Sequence, residues 1–423
     1  MIEKIQVINS LLDFIEESPT SYHAAKILAD TLTDRGFVQL FETDPWKLAE
    51  GKSYFLVRNS SSVVAFRTGS LKAPEAGFRI IGAHTDSPGI KVKFNGGSKK
   101  GGLLRNSTEV YGGPILSSWL DRELAVAGMV SVREGGRWAG KLFRIREAAA
   151  VIPNLAIHLN RDVNKGFEYN KQDHLQAVFG SKSLQDTVAE SLAVDPGALG
   201  ESELFLYDNR RGTILGGGLF MAPRIDNLAM CHAALNSLLS SSSAECTQLA
   251  VFYDSEEIGN GTYQGADSSF LKEILERIVL ASGGSSEDFF RAKARSFMIS
   301  ADGAHGVHPN FSDKHDPAYA PVLNGGPVIK MNAKYKYATT REGAARITRL
   351  CEEAGVPYQK FIGRSDMLSG GTIGAVSSAL LGIKTADIGN PMLAMHSIRE
   401  TAGTADHLSM IIVMREFYRN GVK

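Results

Sequence analysis

The sequence predicts an α/β protein: a doubly wound mixed sheet sandwiched by helices, with an inserted β-rich lid. Three observations carry that expectation. From Gly218 onward helix-like and strand-like segments alternate, the pattern of a sheet covered on both faces. Two glycine-rich breaks, NGGSKKGG at Asn95–Gly102 and DNRRGTILGGG at Asp208–Gly218, bracket a stretch of short strand-like runs with one short helix. The 423 residues also exceed one compact core, at roughly 100 to 200 residues per domain. The expected division is one domain in two parts, residues 1–95 and 219–423, around an insert at 96–218.

The elements follow in order. MIEKIQVINSLLDFIEESPTS sets Ile5, Ile8, Leu12 and Ile15 on one helical face, and its acids Glu3, Asp13, Glu16 and Glu17 are wrong for a secretory signal. A second helix runs from Thr20 and Ser21 through Ala24, Leu28 and Leu32 to Gly36, a C-terminal glycine. YFLVRN, SSVVAF and FRIIGAHTD are short β-rich runs, the last carrying His84 and Asp86 at its end. Within the insert, KLFRIRE and NLAIHL read as strands and SKSLQDTVAESLAVD as a short helix. Beyond it come the helix IDNLAMCHAALNSLL, a serine linker at Ser240–Ser243, the strand QLAVFYD, the helix FLKEILERIVL and the strand SFMISAD.

Composition narrows the function. Forty-six basic residues balance 46 acidic ones, which points away from nucleic acid and from a membrane surface. No apolar run reaches the ~18 to 20 residues of a membrane span. Cys231, Cys246 and Cys351 are odd in number and widely separated, so they read as reduced core thiols, and a cytoplasmic setting follows.

The chemistry concentrates at strand ends. VFYDSEEIGN runs from an apolar strand straight into Asp254, Glu256 and Glu257. Carboxylates at the end of a buried strand cost desolvation free energy unless a cation or strong hydrogen bonds compensate. His84, Glu257 and Asp302 each follow an apolar run, in GFRIIGAH, QLAVFYDSEE and SFMISAD, so all three are expected on the carboxyl rim of the sheet, where ligands gather. Asp226 opens the helix after APRI, and His396 lies in PMLAMHSIRE. Two imidazoles with several carboxylates suit zinc or a related divalent metal. Taken singly each residue has a plainer reading: His84 a satisfied structural histidine, Asp226 an N-cap, Asp302 a turn residue, Lys330 a snorkelling surface lysine. Asp121, in SSWLDRELAVAG, competes with Asp226 but falls inside the insert, as a lid or interface residue.

The order His, Asp, Glu-Glu, Asp, His resembles the co-catalytic dizinc aminopeptidases. GAHTDSPG, RIDNLAM, DSEEIGN, SADGAHGVHPN, GGPVIK and AMHSIRE together are similar to the M18 family, the aspartyl aminopeptidase group, from about His84 to the C-terminus. The resemblance implies a dizinc exopeptidase-like fold and a metal-dependent aminopeptidase that trims acidic residues from small peptides. It implies two divalent ions per chain, zinc first, with cobalt or manganese as substitutes. Asp226 would bridge them, and His84, Glu257, Asp302 and His396 would complete the ligand set. Glu256 would be the general base, taking a proton from the water between the metals while its neighbour holds an ion. Asp86 would orient the His84 imidazole.

The same resemblance reaches further residues. His158, in NLAIHLNR, is by pattern a core strand residue, yet it matches a histidine that M18 insert domains send to a partner subunit's active site. Lys330 would face the acidic side chain of the substrate, with Tyr337 and the loop GRSDMLSGGTIG, Gly363–Gly374, lining the same pocket. That loop lacks the Gly-Lys-Ser/Thr of a phosphate loop. His305 and His308 would be structural or stand behind the ligands; His23, His174, His232, His315 and His407 have no partner at ligand spacing. A homo-dodecamer built from dimers through the insert is also implied. The chain departs from relatives of strict acidic preference, which carry Asn and Cys where it has Ser365 and Ser369. A neutral or basic N-terminal preference, or an amidohydrolase on the same metal centre, is the alternative. A noncatalytic scaffold would have no need of a free base at Glu256.

Overall fold

The apolar runs QLAVF, RIIGA and FMISA become the buried, parallel heart of a mixed sheet. The computed structural model describes residues 2–180 and 182–420. Among these, nine strands line up in the order Val38–Gln39, Ser53–Arg58, Ser62–Arg67, Thr247–Tyr253, Phe78–His84, Phe297–Ala301, Lys384–Gly389, Val328–Met331 and Gln359–Ile362. The four strands from Thr247–Tyr253 to Lys384–Gly389 are mutually parallel. Antiparallel neighbours flank them, Ser62–Arg67 on one side and Val328–Met331 on the other.

Side chains alternate across this sheet, as the two-residue repeat of a strand demands. Leu249, Val251 and Tyr253 face the helices Phe270–Ala281, Ser286–Ala294 and Ile373–Leu381. Ala250 and Phe252 face the opposite layer, made by Ile2–Glu17, Ser21–Asp34, Ile225–Ser240, Arg341–Glu353 and Thr404–Asn420. Ile225–Ser240 is buried almost all round, which fits its apolar sequence and its place between the sheet and the N- and C-terminal helices. Each fully buried Phe or Leu of these layers contributes roughly 1.5–3 kcal/mol, so the rim they support is a firm platform.

A second sheet spans Gly89 to Asp208 and has its own core around Ile90, Val92, Trp119, Val126, Leu204 and Leu206. Its strands are antiparallel, and Leu199–Asp208 pairs with both Gly89–Lys100 and Leu124–Glu134, closing a small barrel. A third sheet joins Thr213–Leu215, Leu219–Ala222, Glu400–Gly403, Pro391–Leu393 and Ala304–His305. No helix among the described residues is long and apolar enough to cross a membrane. The three cysteines are buried and unpaired.

Two local expectations are corrected. Asn95–Gly102 is not a loop: strand Gly89–Lys100 runs through most of it and turns at Gly101 and Gly102 into Leu103–Tyr111. A register irregularity between Val92 and Gly97 and an exposed outer end remove the alternation that marks a strand in sequence. NLAIHL is not a strand either. Asp121 accepts hydrogen bonds from the Asn154 amide and side chain, both at 2.8 Å, and the chain then turns through residues 157–159 with Leu155 and Leu159 exposed. His158 is consequently an exposed turn residue, not a core one.

Candidate metal centre and active-site cavity

The parallel register brings the strand ends together. Tyr253 pairs with His84, and Ser300 with Gly82, so Glu256, His84 and Asp302 emerge side by side. Asp226 arrives from the adjacent layer at the start of Ile225–Ser240, and His396 from the loop between Pro391–Leu393 and Glu400–Gly403. Arg224, Ser255 and His396 all have positive φ (55°, 69° and 70°), sharp local turns that aim the following or resident side chain inward.

Asp226 lies at the middle. Its Oδ1 is 3.5 Å from His84 Nε2, which is itself 3.5 Å from Asp302 Oδ1. Its Oδ2 is 3.5 Å from His396 Nε2, which is 3.5 Å from Glu257 Oε2. Donor atoms of His84, Asp226 and Asp302 fall within 4.8 Å of one another, as do those of Asp226, Glu257 and His396. His84, Glu256 and Glu257 form a third such group, with Glu256 Oε2 4.0 Å from His84 Nε2.

The proton arrangement leaves both facing nitrogens free for a cation. His84 Nδ1 lies 3.0 Å from the Asp86 carbonyl and His396 Nδ1 3.1 Å from the Gly113 carbonyl. A carbonyl can only accept, so each Nδ1 carries a hydrogen, and in its neutral form, the one a cation would bind, each ring turns an Nε2 lone pair toward the carboxylates. Among the described residues, Asp226 Oδ1 and Glu257 Oε1 are buried without a hydrogen-bond partner. A buried carboxylate oxygen left so is costly, and a divalent cation supplies the missing partner. The nitrogen and oxygen donors present therefore fit zinc.

Electrostatics follow from crowding. Burial, reinforced by Asp302 and Asp86, pushes the Glu256 carboxyl up to about 7; burial and Asp226 raise Glu257 well above the usual carboxylate range. Burial opposes ionisation of Asp226, but the His396 and His84 imidazoles beside it, when protonated, override that and hold the carboxyl low. His84 is buried too, yet Asp226, Asp302 and Asp86 raise it well above an ordinary imidazole.

Neighbours hold the set in place. Asp86 accepts the Glu256 and Glu257 amides on its two oxygens, both at 3.1 Å, and the Tyr111 hydroxyl at 2.8 Å. Glu400 accepts the amides of Asp226 at 2.9 Å and His396 at 2.7 Å; burial pushes its carboxyl up to about 8. Neither Tyr111 nor Glu400 was marked by the sequence. Glu400 had one legible signal, its place at the end of the motif AMHSIRE that carries His396, whereas Tyr111 had none.

A cavity of about 610 Å³ opens over Asp226, Glu256, Glu257, Asp302 and His396, and Lys330, Tyr337 and Gly370–Thr372 line it. Lys330 is not a snorkelling residue. It is 2% exposed, and its ammonium donates to the Asp302 carbonyl, Asp302 Oδ2 and the Gly303 carbonyl at 3.0–3.3 Å. Its Nζ also sits 5.2 Å from the Tyr337 ring centre. His305 lines the cavity, while His308 accepts the Asn310 amide. His232 and His407, which showed no ligand spacing in sequence, pair with each other in the core at 2.9 Å. His158 does not line this cavity, and Asp121 is spent on Asn154.

A mixed sheet with a buried nitrogen–oxygen donor set on its carboxyl rim defines a metal-dependent α/β enzyme. The model of the family described as aminopeptidase I zinc metalloprotease (M18) matches residues 14–418. A probable M18 family aminopeptidase 2 from Clostridium acetobutylicum is 44% identical over 433 residues, covering 99% of this chain and all of the relative. Among solved structures, that of the Ape4 and Nbr1 complex superposes with a TM-score of 0.95 at 35% identity, over 99% of this chain and 86% of the other. The S. cerevisiae mApe1 dodecamer gives 0.85 at 25% identity, over 99% and 97%. This chain belongs to the M18 family of zinc metalloproteases. It is a metal-dependent aminopeptidase, a hydrolase of peptide bonds.

Proposed function

We propose that the chain removes acidic residues, Asp and Glu, from the N-termini of small peptides with two metal ions, zinc by preference, and Glu256 as general base. The observation that supports this most directly is Asp226, whose oxygens face two different histidine–carboxylate sets. His84 and Asp302 would hold one ion, His396 and Glu257 the other, with Asp226 between them. Bound there, the ions supply Lewis acidity, lowering the pKa of a shared water towards ~7 and polarising the scissile carbonyl.

The chain's own residues supply the rest. Glu256 belongs to neither set that contains Asp226, and its amide is fixed by Asp86. It takes the proton from the attacking water and returns it to the leaving amine. The substrate's free α-amino group is cationic and fits against the acids of the cavity, which restricts cleavage to the first residue. The remaining charged side chains lining the cavity are basic: Lys330, Lys334 and Lys336. Lys330 acts through its field, since its hydrogens are committed to Asp302 and Gly303, and exposed Lys334 and Lys336 are free to approach an acidic side chain.

The fold fits the dizinc exopeptidase architecture, with residues 1–95 and 219–423 expected as the catalytic domain and 96–218 as lid and dimer contact; the barrel itself runs from Gly89 to Asp208, so the insert is entered seven residues earlier and left before Thr213–Leu215. In that arrangement His158, exposed on its turn with Leu155, Ile157 and Leu159, reaches a partner's site, and dimers build a dodecamer like the S. cerevisiae relative. A cytoplasmic location accords with the buried free cysteines.

The test is hydrolysis of peptides that differ only in their first residue, Asp, Glu, Leu, Lys or N-acetyl-Asp, with zinc, manganese or cobalt restored after chelation. Fast cleavage of Asp and Glu peptides with none of the acetylated one is the expected result. Preference for Leu or Lys would transfer specificity to the Ser365–Ser369 loop. Cleavage of the blocked peptide would leave the amidohydrolase reading in its place.

A further inference from the structure

The second sheet meets residues of the metal centre at the turn that follows strand Leu103–Tyr111. Three consecutive residues there touch three different members of the site. The Tyr111 hydroxyl donates to Asp86 Oδ2 at 2.8 Å, and Asp86 in turn accepts the amides of Glu256 and Glu257 and carries the carbonyl that fixes His84. Gly112, at φ +66°, lies so close to Glu257 that a Cβ would stand 3.2 Å from its Cβ and its carbonyl oxygen. The Gly113 carbonyl accepts from His396 Nδ1 at 3.1 Å. The chain then continues the grip, the Ile115 amide donating to the His396 carbonyl at 2.9 Å and Ser118 Oγ accepting the Ile398 amide at 3.0 Å.

No other part of the protein holds His396 by its ring among the described hydrogen bonds, and the ring is 31% exposed on its remaining side. Its orientation, and that of Glu257 beside it, is therefore set from the second sheet. We infer that the Tyr111–Gly113 turn is a positioning element for the metal centre, making retention of the ion at His396 and Glu257 depend on how the second sheet is seated. This rests on the two-ion reading above. The turn touches no substrate; it acts through Asp86, Glu257 and His396.

The experiment compares wild-type protein with Tyr111→Phe and Gly112→Ala. Tyr111→Phe deletes a single hydroxyl and keeps the ring, which packs edge-on against Phe205 at 5.5 Å. Zinc per chain is measured by atomic emission across a series of chelator concentrations, with kcat and KM on a short peptide and the thermal midpoint by circular dichroism. Wild type should hold two zinc ions. Tyr111→Phe should release one of them at about tenfold lower chelator concentration and lose about tenfold in kcat with KM unchanged, recovering when zinc is added, as loss of an outer contact to a metal site does. Gly112→Ala should lose more, because its methyl presses directly on Glu257. An unmoved thermal midpoint with these losses supports positioning, and added zinc would not rescue a general folding defect. Zinc retention and kcat equal to wild type in Tyr111→Phe would overturn the inference. A wild-type protein with one zinc per chain would instead overturn the two-ion reading.

Discussion

The two candidate donor sets that meet at Asp226 differ in how they are built. His84 is 1% exposed at the end of a central strand, fixed by Asp86 two residues on, with Cys231 donating to its carbonyl from the helix behind. His396 is 31% exposed, on a loop at φ 70°, held by Gly113 of another sheet and by Glu400. One half is made by local strand geometry inside the core and the other by contacts between layers. The first should therefore bind its ion as part of the folded sheet, and the second should exchange.

The largest expected effect lies at the residue that serves both halves without being shared by them. Glu256→Gln should lower kcat about a thousandfold, within the range for a lost general base, while zinc content by atomic emission stays that of wild type. Full turnover in the variant would remove Glu256 from the base role. Next comes the contrast itself. Graded chelation should take zinc in two steps, the first removing most activity, and His396→Ala should eliminate the early step while keeping the late one. A single step in wild type would mean that the halves are equivalent.

A smaller effect is expected from Glu400, which ties the halves together by accepting the Asp226 and His396 amides. Glu400→Gln keeps the shape but offers a donor group to one of two amides, and zinc affinity measured by chelator competition should fall about tenfold. The smallest effect is on stability and sharpens the comparison of buried imidazoles. His84 and His232 are equally enclosed, but three carboxylates raise the first, while burial alone lowers His232 to about 4. His232 is thus neutral when folded and titrates near 6.5 when unfolded, so stability present above pH 6.5 is lost as the pH falls towards 4. The loss is about 3 kcal/mol from this residue, and urea midpoints of His232→Gln should fall less steeply over that interval.

Legibility followed the same division. The strand endings that place His84, Glu256 and Asp302 were plain in sequence, because an apolar run that stops at an acid or imidazole marks both the strand and its rim. Asp226 and His396 were visible as residue types, but the grouping of His84 with Asp302 and of His396 with Glu257 on two sides of Asp226 was not. Tyr111 and Gly113 were missed because each acts through a partner remote in the chain, and Glu400 because its bond to Asp226, unlike that to nearby His396, spans 174 positions. His158 was misplaced within a strand because NLAIHL is a short apolar run, whereas the chain, with Asn154 donating to Asp121, turns at residues 157–159.

The sequence by itself determined the alternating architecture, the residue types of the candidate donors and the family to which they point, all of which depend on side-chain type and short-range period. Tertiary structure alone decided that the small barrel reaches back to orient His396, that Glu400 links two ligand-bearing loops, and that the Lys330 ammonium lies on Asp302. Apart from the Glu400–His396 bond, those contacts join residues 28 to 283 positions apart, and no local pattern of hydrophobicity encodes which distant atoms will meet.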